Sequence, residues 1–208
     1  MARDVGRIEK ARGNKLMVST IEQQKSALRA MIRAEVQRLS ATDRARCSEE
    51  LGVRLTQQEA WKKAHAVSFF APMLDEPDIW PLISQALDSG RVVALPRFSK
   101  TTQSYVVRQV LDLQTDIQTG HFGIREPLEV CEEVPLNRLD LVLVPGVGFD
   151  SRGQRLGRGR GFYDRLLAGV SGRKCGIAFD EQIVAEVPAG PHDVRVNCIL
   201  TPTRWIET

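Results

Sequence analysis

The chain has 208 residues, 42% of them hydrophobic and 26% charged, with a formal net charge of +3. That is enough apolar sequence for one large domain with a buried core. The charge balance demands no nucleic-acid partner, and no apolar run approaches the ~20 residues needed to cross a bilayer.

Cys47, Cys131, Cys175 and Cys198 are scattered. None forms the C-x-x-C pair of a zinc ribbon or redox motif, so free thiols in a reducing cytosol are expected. Residues 1–18 are basic, and Asp4 and Glu9 argue against an organellar transit peptide. The stretch reads as a disordered extension or a tag, with Met17 as a candidate start, ahead of a single domain over 19–208.

Residues 19–40 predict an amphipathic helix. Ser19 and Glu22 fit a capping box, and Ile21, Leu28, Ile32 and Val36 fall at helical spacing. A second helical region covers residues 41–63. The apolar run 66–71 then predicts a buried strand. Residues 79–90 predict a helix stopped at Gly90. Further strands are expected at 91–96, 104–110, 140–145, 174–179 and 198–203, with the 104–110 strand a candidate for antiparallel pairing. A helix is expected from Gly161 to about Ala168. Strands alternating with helices predict a layered α/β fold with a mainly parallel sheet.

One stretch concentrates chemistry: "GQRLGRGRGFYDRLL", residues 153–167. Gly157, Gly159 and Gly161 can take positive φ and bring backbone N–H groups close to a ligand. If Gly161 opens a helix, the helix terminus adds to the same anion site. Arg155, Arg158 and Arg160 supply compensating charge, and the planar guanidinium suits phosphate. Asp164 beside such a site calls for a cation, and Mg²⁺ shared with phosphate oxygens would supply it. No G-x-x-x-x-G-K-[ST] loop is present, and the glycine spacing is not that of a dinucleotide fingerprint. A solvated arginine-rich turn or an RNA contact stays open on composition alone.

The longer stretch "DLVLVPGVGFDSRGQRLGRGRGFYDRLL", residues 140–167, resembles the signature of the 5-formyltetrahydrofolate cyclo-ligase family. "KSALR", "LDEPDIWPLI", "ALPR", "FGIREP", "AFDEQIV" and "VPAGPHDVRVNCILT" follow the family's order, so the resemblance covers about residues 25–201. It implies a three-layer α/β/α fold with a mainly parallel sheet, related to the sugar-phosphate isomerase and CoA-transferase group. It also implies an ATP- and Mg²⁺-dependent conversion of 5-formyltetrahydrofolate to 5,10-methenyltetrahydrofolate, releasing ADP and phosphate.

By the same resemblance, Lys25, Arg29 and the run Arg155, Leu156, Gly157, Arg158, Gly159, Arg160, Gly161, Phe162 and Tyr163 would hold ATP. Ala71, Glu76 and the stretch Arg158 to Phe162 would contact the folate. Asp164 and Asp193 would hold Mg²⁺, and Arg158, Arg160 and Tyr163 are the candidate catalytic residues. Lys25 and Arg29, four apart, would project from one helical face. Arg97 is a weaker site candidate, neither His192 nor a cysteine is needed as a nucleophile, and His65 and His121, without an evident orienting partner, read as structural or solvent-facing.

Phe162, Ile79 and Asn197 depart from residues frequent in the family. They leave open a diverged phosphate-binding paralogue without the cyclo-ligase reaction. The expected setting is a cytoplasmic monomer acting on a small-molecule folate, possibly polyglutamylated, without nucleic-acid or membrane partners.

Overall fold

In the computed structural model the described residues are 5–120 and 123–208, with side chains from residue 21 onward. Helix α1 (Val5–Arg38) begins upstream of Ser19, so the expected capping box at Ser19 and Glu22 is not its start. Of the expected extension over 1–18, residues 1–4 and the side chains of the rest lie outside the described part.

Ser40 caps α2 (Ala41–Thr56), its hydroxyl accepting from the Asp43 N–H at 3.0 Å. The single helix expected over 41–63 is two. Thr56 and Gln58 side chains donate to the carbonyls of Val53 and Arg54, which closes α2 before α3 (Glu59–Lys63) begins. Gly90, at φ 74°, follows α4 (Trp80–Asp88) as the 79–90 pattern predicts.

The main sheet has seven strands. In chain order they are β1 (Ala66–Ser68), β2 (Val92–Ser99), β3 (Ser104–Val110), β6 (Leu141–Pro145), β9 (Arg173–Ile177), β11 (Cys198–Leu200) and β12 (Trp205–Glu207). Their spatial order is β12-β11-β9-β6-β1-β2-β3. The five inner strands run parallel, and β3 and β12 close the edges antiparallel. The antiparallel choice for residues 104–110 is therefore the one taken. The expected strand at 66–71 ends at Ser68, after which Phe69 and Phe70 turn into the core at 1% exposure.

Alternation along the parallel strands separates two cores. Leu141 and Leu143, with Val93 and Leu95, pack on Leu51, Leu55, Leu82 and Ile83 from α2 and α4. Val142, Val144 and Ala94 face Leu166 and Leu167 of α5 (Phe162–Ala168) on the other side. This is the expected three-layer arrangement. A third, smaller cluster seats α1: Ile32 and Val36 meet Val147, Leu156, Phe179 and Val187.

Asp140 ties the N-terminal ends of β1 and β6 together, accepting from the backbone N–H groups of His65 and Ala66 at 2.8 and 2.9 Å. Those bonds hold its carboxyl below the usual range.

Two small ribbons lie outside the main sheet. One pairs β4 (Ile117–Thr119) with β5 (Arg125–Pro127). The other joins β7 (Gly148–Asp150) to β8 (Arg155–Leu156) and β10 (Ile183–Val184). The chain leaves β1 toward β2 and leaves β6 toward β9, in opposite directions. The crevice beyond the carboxyl ends of β1 and β6 is thus a topological switch point, where open α/β sheets place ligands.

Candidate active site

A cleft of about 440 Å³ opens at that point. Phe70 and Ala71 enter it from the end of β1, Pro96 from β2, and Pro145 and Gly146 from the end of β6. Helix α1 adds Glu22, Lys25 and Arg29. The loop between β8 and α5 adds Gly157 through Gly161. Lys25 and Arg29 do share a helical face, held by the packing of Ile32 and Val36 one and two turns further on.

The glycine loop is set by a buried acid before it. Asp150 is fully buried, and its Oδ1 accepts from the N–H groups of Arg152 and Gln154 at 2.9 and 3.1 Å. Its Oδ2 accepts from Val187 N–H at 3.0 Å. Burial pushes this carboxyl up, but the hydrogen bonds outweigh it and leave it below the usual range. Beyond that anchor Gly159 and Gly161 take φ of 99° and 62°, as the sequence predicts. Gly157 does not have positive φ; its role is clearance, since a Cβ there would sit 2.9 Å from Nη1 of Arg155. Its carbonyl accepts from Nε of Arg29 at 2.8 Å, linking loop to helix. Gly161 is the N-cap of α5, which is only seven residues long, so the helix dipole adds little at this end of the loop.

The charges of the cleft are matched in pairs. Lys25 Nζ donates to Asp193 Oδ2 at 2.5 Å, and Arg29 to Glu22 at 2.9 Å. Arg158 bridges Asp75 at 2.6 Å and Glu76 at 2.9 Å. Burial pushes the Glu76 carboxyl up, against the pull of Arg158. Arg155 is 5% exposed and donates to Asp164 Oδ1 at 2.8 Å and to the Pro145 carbonyl at 3.4 Å. Arg155 is thus the protein's own cation beside Asp164 and holds the loop to the end of β6, and both residues line the cleft. Leu156, unlike Arg155 and Asp164, does not line the cleft; its side chain is fully buried with Ile32 and Phe179.

An aromatic wall closes the other side. Phe162 meets Phe98 at 5.2 Å and Tyr105 at 5.5 Å, and Tyr105 meets Tyr163 at 5.7 Å. Burial raises the phenols of Tyr105 and Tyr163. The ring at Phe162 keeps this packing without a hydroxyl. Glu126 of β5 is buried and accepts from Arg97 at 2.9 Å and from the Phe98 N–H at 3.3 Å, so Arg97 serves to anchor the β4–β5 ribbon over the cleft.

Ala71, Glu76, Arg158, Arg160, Tyr163, Asp164 and Asp193 thus all line one cleft. Asp75, Tyr105 and Glu126 belong to the same region and were missed. Asp75 lies beside Glu76 in a stretch already singled out, and only its pairing with Arg158 reveals it.

Ile79 is fully buried at the start of α4, and Asn197 accepts from the Lys174 N–H at 2.9 Å. Neither lines the cleft. His65 is exposed, in line with a solvent-facing residue, and His192 is exposed too; His121, and Phe122 of the "FGIREP" segment, lie outside the described residues. All four cysteines are free, with Cys175 and Cys198 buried.

A family model described as the 5-formyltetrahydrofolate cyclo-ligase family matches residues 21–202. The chain belongs to that family. The cyclo-ligase family resemblance extends to a protein from Escherichia coli K12 named 5-formyltetrahydrofolate cyclo-ligase, 32% identical, covering 85% of this chain and all of that one. The mouse protein of the same name is 29% identical over 87% of this chain and 95% of its own length. Among solved structures, the Aquifex aeolicus 5,10-methenyltetrahydrofolate synthetase superposes with a TM-score of 0.80 at 33% identity, covering 88% of this chain and 92% of that one.

The two carboxylates proposed from sequence as metal ligands suit a hard cation. Arg155 and the Val194 N–H both engage Oδ1 of Asp164, and Lys25 and the Gly190 N–H both engage Oδ2 of Asp193. Each acid therefore has a second oxygen outside these contacts. Two monodentate carboxylates completed by phosphate and water oxygens are a donor set that Mg²⁺ accepts.

Proposed function

We propose that this chain catalyses the ATP- and Mg²⁺-dependent cyclisation of 5-formyltetrahydrofolate to 5,10-methenyltetrahydrofolate, releasing ADP and phosphate. The observation that carries the reading is convergence: Lys25, Arg29, the glycine loop, Asp164 and Asp193 meet in the cleft that Glu76 and the aromatic wall also line. Family membership supports the same reaction.

The formyl oxygen is a poor leaving group, so it is activated by attacking the γ-phosphorus, which breaks the bond to ADP and leaves a phosphorylated iminium. N10 of the folate then attacks the formyl carbon, the ring closes and phosphate departs. In phosphoryl transfer the protein chiefly positions groups and neutralises charge. Lys25, Arg29, Arg158, Arg160 and the amides around Gly157, Gly159 and Gly161 take the nucleotide in this reading. Asp164 and Asp193 would hold Mg²⁺, which offsets phosphate charge. Glu76 faces the donor groups of the pterin, against Ala71, Phe162 and Tyr163.

Arg158 bridges Glu76 and Asp75, and in this reading folate binding at Glu76 would release the guanidinium toward the nucleotide. The reading carries with it a cytoplasmic monomer without nucleic-acid or membrane partners; no helix among the described residues is long and apolar enough to cross a membrane.

The test is direct. Purified protein with 5-formyltetrahydrofolate, ATP and Mg²⁺ is expected to produce the near-ultraviolet band of methenyltetrahydrofolate, and omission of ATP to abolish it. ATP binding without that product would favour a diverged paralogue instead.

A further inference from the structure

Four cations of the cleft are matched by acids. Lys25, Arg29, Arg155 and Arg158 each pair with a carboxylate, and Arg160 has a partner as well. Arg125 also lines the cleft, and among the described residues its side chain makes no hydrogen bond or ion pair. It is exposed, yet it is not loose: its guanidinium carbon lies 4.0 Å from the centroid of the Trp80 ring. A stacked guanidinium leaves its N–H edges available while its orientation is fixed, which is the arrangement that takes a carboxylate at little ordering cost.

Position narrows the ligand. Arg125 stands on β5, beside the buried Glu126 that Arg97 anchors. Its stacking partner Trp80 opens α4, four residues after Glu76. None of its contacts is with the Lys25, Arg29, Asp164 and Asp193 side of the cleft, where the proposed function places phosphate. Ile124 and Met73 line the cleft near these two elements and offer apolar surface. A folate carries an aromatic amide and then a glutamate whose carboxylates lie far from the reacting N5 and N10.

We propose that Arg125, held by Trp80, is a specificity residue that binds a carboxylate of the folate's glutamyl tail. This rests on the folate reading above and adds a subsite to it.

The test compares Arg125→Leu and Arg125→Lys with the unaltered protein on two substrates, 5-formyltetrahydrofolate and 5-formyltetrahydropteroate, which lacks the glutamate. For Arg125→Leu the KM for the glutamate-bearing substrate should rise about tenfold, with kcat nearly unchanged, as expected for loss of one charge-assisted contact. The lysine variant should recover part of that loss, the KM for the pteroate should not move, and the KM for ATP should not move.

An unchanged KM for 5-formyltetrahydrofolate, or an equal rise with the pteroate, would overturn the assignment. A rise confined to ATP would overturn it too, by placing a nucleotide phosphate on Arg125. Calorimetric binding of 5-formyltetrahydrofolate separates the two readings. Binding by the unaltered protein with equal affinity in Arg125→Leu removes the tail subsite alone. No binding and no turnover by the unaltered protein removes the folate reading and the subsite with it.

Discussion

Replacing Arg155 by methionine separates a residue that binds phosphate from one that holds the site together. The side chain is 4% exposed and its partner Asp164 17% exposed, with 2.8 Å between them. Methionine would keep much of the volume beside Tyr163, whose ring lies 5.6 Å from the guanidinium. The Asp164 carboxylate would then be left poorly solvated with only the long contact from Val194 N–H. Breaking a buried pair from one side costs about 3–5 kcal/mol, because the remaining charge is uncompensated. Taking about 3 kcal/mol for this partly exposed acid, a domain of this size should lose roughly 6–12 °C in melting temperature.

Thermal unfolding followed by circular dichroism at neutral pH reads that shift. The double variant Arg155→Met with Asp164→Asn should recover a large part of it, since no charge is left unpaired. A single variant melting within about 2 °C of the unaltered protein would refute the reasoning, because a buried pair cannot be broken at so little cost. Arg155 would then be free to serve as a phosphate ligand.

Asp150→Asn places an amide NH₂ among backbone donors and should destabilise the protein by about 2–3 kcal/mol in urea unfolding; a change below about 0.5 kcal/mol would show that the Asp150 contacts do not set the glycine loop. Glu76→Gln tests the buried carboxyl: its folded pKa is raised by burial, so its contribution is full below the unfolded value near pH 4.5 and is lost as pH rises through the folded value. The stability of the unaltered protein relative to Glu76→Gln should therefore fall as pH rises from about 4 toward neutrality, and a difference flat with pH counts against the raised pKa. Asp193→Ala should lower turnover by about a hundredfold or more at any Mg²⁺ concentration, while steady-state rates restored by excess Mg²⁺ would show the carboxylate to be dispensable.

The sheet and the main site segments were legible in the sequence because both rest on short-range pattern. The runs at 91–96 and 140–145 alternate between two cores, as Leu143 and Val144 do, and such runs announce buried strands. Gly159 and Gly161 announced a loop that needs left-handed backbone. What was not legible depends on partners distant in sequence. Arg155 and Arg158 are the same residue type three positions apart, yet one is buried against Asp164 and the other reaches Asp75 and Glu76. The alternation of β8 into the loop decides which, and it has only two strand residues to reveal itself. Tyr105 reads as an ordinary strand aromatic until the β2–β3 pairing brings it to Phe98 and the fold adds Phe162. The β4–β5 ribbon is too short to carry a period at all.

The bond between Lys25 and Asp193 joins positions 168 apart in sequence. A contact spanning so much chain closes only after the intervening strands have paired, and folds dominated by such contacts are slow to complete. During synthesis Lys25 leaves the ribosome early and waits for the 190–194 turn, so this side of the cleft stays unfinished while most of the protein is made. A closed Lys25–Asp193 bond therefore reports that the chain through the 190–194 turn has been delivered and folded.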